Sequence, residues 1–111
     1  MAGQDTAMDL DAIPWRTTRY AGIAVHFYAS DKRTGRVTAL IRMQPGHGYP
    51  RHRHHGREEV LVLRGSYRDE FGDHAAGTFS SYDDGTTHSP IAGADEACVL
   101  LAVAHEGVAL V

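Results

Sequence analysis

The chain is poor in cysteine. Cys98 is the only one in 111 residues, so no internal disulfide can form and a disulfide-built secreted fold is excluded. Long apolar runs are also missing. No stretch approaches the roughly 18 apolar residues of a membrane-spanning helix, and residues 1–20 hold no apolar run of signal-peptide length. Cationic charge is not in excess: 11 Lys and Arg face 14 Asp and Glu, a net −3 that argues against a broad nucleic-acid or anionic-membrane surface. A phosphate-binding glycine loop and a Ser-His-Asp set are absent, and no segment after residue 20 keeps a helical period of 3.6. These absences leave a soluble, cytoplasmic single domain as the expectation, large enough to bury a core without staples.

What the chain does have is glycine, 12 in all, spaced so that the segments between turns are 5–10 residues long. That length suits strands and is too short for typical helices. Ile23, Val25 and Phe27 alternate with Ala24, His26 and Tyr28, and Val37, Ala39, Ile41 and Met43 alternate with Thr38, Leu40 and Arg42. Val60–Leu63 and Ala97–Ala104 are continuous apolar runs, as strands buried on both faces would be. Phe71-Gly72-Asp73, between Ser66–Glu70 and Ala76–Tyr82, suits a hairpin turn. The reading is seven to nine short strands and no helix, a closed barrel or sandwich over residues 21–111. Residues 1–20 read as an N-terminal arm, with Trp15 packing on the barrel surface or on a partner subunit.

The chain is also rich in histidine, with eight. His52 and His54 are two apart, so on a strand they share a face, about 7 Å apart along the backbone. Gly56 permits a turn, and Glu58 then opens the next strand on the parity of Val60 and Val62. If that parity faces the interior, a carboxylate lands near two imidazoles. A second glycine turn, through Gly85, delivers His88 as a fourth candidate. Three imidazoles and a carboxylate form a mixed N/O donor set suited to Fe, Zn, Ni, Cu or Mn.

These residues carry a resemblance. Gly46-x5-His52-x-His54-x3-Glu58-x6-Gly65 matches the first cupin motif at every defining position, and Gly77-x5-Asp83-x-Gly85-x2-His88-x3-Ala92 resembles the second. The second departs at Asp83 and Ala92, where the family usually has Pro and Asn. The wording of residues 52–73, then 76–79 and 88–90, looks like the ChrR-type branch. That branch is named for the C-terminal domain of a zinc-binding anti-sigma factor and is also found as small standalone cupins. The resemblance implies an all-β, RmlC-like jelly-roll barrel with His52, His54, Glu58 and His88 as metal ligands inside it. It also implies one divalent transition metal per chain (Zn or Fe foremost, Ni or Mn as alternatives) and a small-molecule ligand. By analogy with cupin barrels, a homodimer is expected.

Three functions fit the resemblance. One is a dioxygenase acting on a small diketone or hydroxy-ketone. Another is a freestanding zinc-binding sensor; 20 residues before the barrel and one Cys would not make a self-contained anti-sigma factor. The third is a non-oxidative metal-dependent isomerase or lyase. Among the other candidates, His47, His55 and His74 read as exposed, while His26 and His105 have no assigned face. Tyr49, Tyr67 and Tyr82 read as packed rings with hydroxyls at a rim. Glu59, Arg51 and Arg53 should point outward by alternation, and Arg42 is either a cavity cation or a solvated one. Cys98 reads as a small buried hydrophobe.

Overall fold

The computed structural model describes residues 8–110. Among them lie twelve strands and no helix, all paired antiparallel. The six-stranded sheet runs in the order β1 (Arg16–Thr17), β2 (Ile23–Asp31), β3 (Arg36–Met43), β11 (Cys98–Ala104), β5 (Glu58–Arg64) and β8 (Phe79–Tyr82). A three-stranded sheet holds β10 (Ile91–Ala92), β6 (Ser66–Asp69) and β7 (Gly72–Ala75). A second holds β12 (Val108–Leu110), β4 (His52–His54) and β9 (Thr87–His88). Five strands are only two or three residues long, too short to show a period. The seven longer ones are those that alternation and glycine spacing delimit. No helix among the described residues is long and apolar enough to cross a membrane.

The hairpin is tighter than the sequence suggests. β6 turns back through Glu70-Phe71 alone, with Asp69 opposite Gly72, and β7 ends at Ala75. The Asp69 carboxylate accepts the Phe71 N–H at 2.9 Å and so closes the turn two residues early. A second turn, with Gly77 at φ 90°, sends the chain to the other sheet, where β8 pairs with β5.

Alternation sorts the central strands as expected. Val37, Ala39, Ile41 and Met43 of β3 and Leu100, Ala102 and Ala104 of β11 line one interior cavity. The core joins Ile23, Met43, Val60, Val62, Tyr67, Tyr82, Ala92, Cys98, Leu100 and Ala102. Cys98 is fully buried, and that burial pushes its thiol up to about 12. β5 and β11 stay in register from Glu58 to Val62, and their irregularity falls between Val99 and Leu100. Glu58 and Val60 therefore share the cavity face, whereas Glu59 faces out and accepts from His105 at 3.0 Å.

The outward face of the same sheet holds a second apolar layer. Leu40 and Val99 point away from the cavity yet are 1% exposed. Val99 stands between Arg42 and Arg64 on the flanking strands. The N-terminal segment reaches both arginines: the Arg42 guanidinium lies 4.8 Å from the Trp15 ring, and Arg64 pairs with Asp11 at 3.2 Å. Leu10 is buried, and its carbonyl accepts the Trp15 indole N–H at 2.9 Å. The segment thus lies across the sheet as a cover, and Arg42 belongs to this outer layer rather than to the cavity. Trp15→Ala is expected to destabilise the fold by about 2 kcal/mol, through lost apolar burial and the lost cation–π contact. Denaturant titration measures it, and an unchanged midpoint would remove the cover from the account.

Candidate metal centre

The polar pole of the cavity is built from three local devices. β4 presents His52 and His54 to one side, both buried, and Arg53 between them is exposed. After β4, Gly56 takes φ 75°, and its N–H donates to Asp84 at 2.9 Å, so Glu58 re-enters the interior. His88 arrives on β9 directly opposite His52 in register. The turn before it, where the family's Pro is replaced by Asp83, closes through Thr86 N–H to the Asp83 carbonyl at 3.1 Å, with Gly85 at φ 88°.

One ligand atom from each of His52, His54, Glu58 and His88 lies within 4.8 Å of every other. His52 Nε2 is 2.9 Å from His88 Nε2 and 3.1 Å from His54 Nε2, which is 3.0 Å from Glu58 Oε1. The protons decide what these contacts are. His52 Nδ1 faces the Pro50 carbonyl at 2.8 Å, and His88 Nδ1 faces the Asp69 carboxylate at 2.9 Å. Both oxygens only accept, so both Nδ1 atoms donate. Burial lowers the pKa of His52 and of His88, outweighing the raising effects of Pro50 and Asp69. Burial thus favours the neutral form of both rings, and a neutral ring with its proton on Nδ1 turns a bare Nε2 toward the other. Two lone pairs at 2.9 Å make no hydrogen bond, and a cation between them resolves the conflict. The spacing agrees: bonds of about 2.1 Å to one ion set donors at right angles about 3.0 Å apart. The donor set thus fits a borderline transition metal. Apart from Arg42 Nε, His54 Nδ1 is the sole buried side-chain polar atom left unpartnered among the described residues.

Behind His88 stands a group that the sequence reading did not single out. Asp69 is buried, and its Oδ2 accepts from His88 Nδ1 and, at 2.7 Å, from the Tyr82 hydroxyl. Its Oδ1 accepts from His74 Nε2 at 2.9 Å and from the Phe71 N–H. Burial alone would raise its pKa, but the bonds from His88, Tyr82 and His74 prevail and hold it at about 2. Tyr67 in turn donates to Tyr82, and burial pushes the Tyr67 hydroxyl up to about 12. A carboxylate–histidine arrangement of this kind fixes the ring and its tautomer. The signal in the sequence was Tyr67-x-Asp69, a carboxylate in step with an inward aromatic.

Two expectations are corrected here. His74 is buried, not exposed, because β7 turns it inward against Asp69, where it stacks on Tyr67 at 4.5 Å. The Tyr67 and Tyr82 hydroxyls are not at a rim but inside, in the Asp69 network. Tyr49 lines the cavity and meets His52 edge-on at 5.1 Å. His47 and His55 are exposed, as alternation and turns suggest. His26, half-buried against Tyr28, lies on the opposite face from Val25 and Phe27, which line the cavity. His105 is outside as well, between Glu59 and Arg36.

The comparisons identify the family and the fold. The model of the ChrR cupin-like domain family matches residues 3–108. The anti-sigma-E factor ChrR of Cereibacter sphaeroides is 35% identical over 66 residues, 60% of this chain and 31% of that protein. The chain therefore spans less than a third of that relative's length. The structure of Rhodobacter sphaeroides SigE in complex with the anti-sigma ChrR superposes with a TM-score of 0.76 at 29% identity, covering 86% of this chain and 50% of that one. An acetylacetone dioxygenase from Acinetobacter johnsonii gives 0.68 at 15% identity, covering 93% of this chain and 75% of that one, a likeness of fold alone.

Asp69→Asn should lower stability and, in the protein that remains folded, weaken metal affinity about 10- to 100-fold, because the amide no longer fixes the His88 tautomer. Competition with a chelator reads this. Unchanged affinity would mean that Asp69 supports the fold and not the donor.

Proposed function

Because the chain belongs to the ChrR cupin-like domain family, we propose that it is a small metal-binding cupin in which His52, His54, Glu58 and His88 hold one divalent transition metal ion. The carrying observation is the pair of Nε2 atoms facing each other at 2.9 Å in a largely apolar cavity, with both Nδ1 atoms turned to acceptors. We read the centre as that of a dioxygenase for a small diketone or hydroxy-ketone. When bound, the metal supplies Lewis acidity and, for a redox-active ion, oxygen activation. The chain's own residues do the rest. Pro50 and Asp69 keep the His52 and His88 lone pairs aimed at the centre. Tyr49, whose hydroxyl pKa is raised by burial, stays protonated as a donor at the cavity wall. Aliphatic side chains line the rest of the cavity.

A second reading is favoured by the 35% identity to an anti-sigma factor. In it the same four residues hold zinc, the barrel reads a small signal, and a sigma-type partner is engaged by a longer assembly. Elemental analysis of protein purified without a chelating column, followed by oxygen uptake with small diketones, separates the two. About one Fe, Mn or Ni per chain with uptake supports the dioxygenase; zinc without uptake supports the sensor.

His52→Ala, His54→Ala or His88→Ala should each abolish stoichiometric metal, and full metal in any one would remove that residue from the set. Acid should act in the same direction. Since burial lowers the His52 and His88 pKa values, the unfolded chain takes up protons at these positions first as pH falls. Stability and metal content should therefore both decline as pH drops below about 6.5. One metal per chain retained at about pH 4 would contradict a three-histidine site.

A further inference from the structure

We propose that the room beside the metal cluster seats the hydrocarbon part of a neutral ligand, and that Ala39, Ala102 and Ala104 set its size. The oxygen end of that ligand rests on the metal-site reading; the hydrocarbon end rests on the cavity alone.

The cavity measures about 270 Å³. That is the liquid share of about nine water molecules, room for a ligand on the order of ten non-hydrogen atoms. It exists because neighbouring inward positions of the two central strands carry only methyl groups. Ala39 and Ala102 are register partners, and Ala104 follows on the same face. The next inward partners, Ile41 and Leu100, are full-sized and fill their space.

Polarity is confined to one pole. Among the lining residues the polar side chains are His52, Glu58, His88 and two tyrosines, and the Tyr67 hydroxyl is already bonded to Tyr82. Among the described residues no Lys, Arg, Asn, Gln, Ser or Thr lines the wall. Arg42, on the same strand as Ala39, points to the opposite face under Trp15. A carboxylate, phosphate or ammonium held against this wall would lose its water without finding a partner. The cavity therefore selects against ligands with a second charged group and accepts aliphatic or aromatic bodies that carry oxygen donors at one end.

The test is calorimetry on zinc-loaded protein of measured metal content, with heptane-2,4-dione against 4,6-dioxoheptanoate, which places a carboxylate at the far end. The dione should bind at least about tenfold more tightly. Ala102→Leu should keep its metal and thermal midpoint while losing about tenfold or more in dione affinity. Ala39→Val, a smaller intrusion, serves if the larger one does not fold. Equal or tighter binding of the carboxylate, or full dione affinity in a folded, metal-loaded variant, overturns the proposal. Metal-free protein offered 1-heptanol and 7-hydroxyheptanoate isolates the cavity from the metal. Preference for the alcohol there supports the cavity assignment even if the chain takes up no zinc, an outcome that overturns only the metal reading. No preference for the alcohol overturns the cavity assignment.

Discussion

One buried carboxylate ties the structure together. Asp69 lies on β6, and its donors come from the turn at Phe71, from His74 on β7, Tyr82 on β8 and His88 on β9. Those strands belong to all three sheets, so a single ionised group links them. Left unpartnered, a carboxylate this far from water would cost several kcal/mol. Four donors offset that cost, three of them side chains whose own positions are thereby fixed. The network is closed: Tyr82 accepts from Tyr67, and Ser80 donates to His74 at 3.3 Å. No member can be removed without orphaning another.

That closure has a chemical consequence at the cavity. Because Asp69 only accepts, His88 must spend its proton on Nδ1, and the Pro50 carbonyl imposes the same on His52. The protein thus holds two lone pairs against each other in an apolar setting, an arrangement unfavourable without a cation. On the proposed metal-site reading, an ion bound between them would offset the free energy of folding the donors together. Glu58 contributes a formal negative charge beside the cluster and makes the pole more attractive to a divalent ion.

Much of this was legible in the sequence, because a strand's period of two sorts side chains by face. His52, His54 and Glu58 follow from parity, and the alternation in β3 marks its cavity face residue by residue. Parity fails where strands are two residues long, so β9 is invisible as a strand, and His88 was placed by the cupin resemblance instead. It also fails at His74. A histidine two residues after Gly72 looks like a turn residue until the Asp69 side chain, by capping the Phe71 N–H, shortens the turn and puts β7 into the sheet. Arg42 was undecided for a related reason. Alternation assigns it to the face away from Ile41, but only the folded arm supplies the Trp15 ring that covers it.

The register that makes the cavity also makes room for the acid. Ala104 stands opposite Glu58 on one side, and Tyr82 stands opposite it on the other. A larger side chain at 104 would compete for the space through which the carboxylate reaches His54 at 3.0 Å. Small residues at the centre of a sheet weaken local packing, and a strand of valine and leucine alone would bury more apolar surface. The three alanines therefore give up packing for the cavity they line. The outer face of the same strands provides compensation, since Leu40 and Val99 are both almost fully buried there. One sheet thus lines a cavity with its inner face and packs its outer face shut.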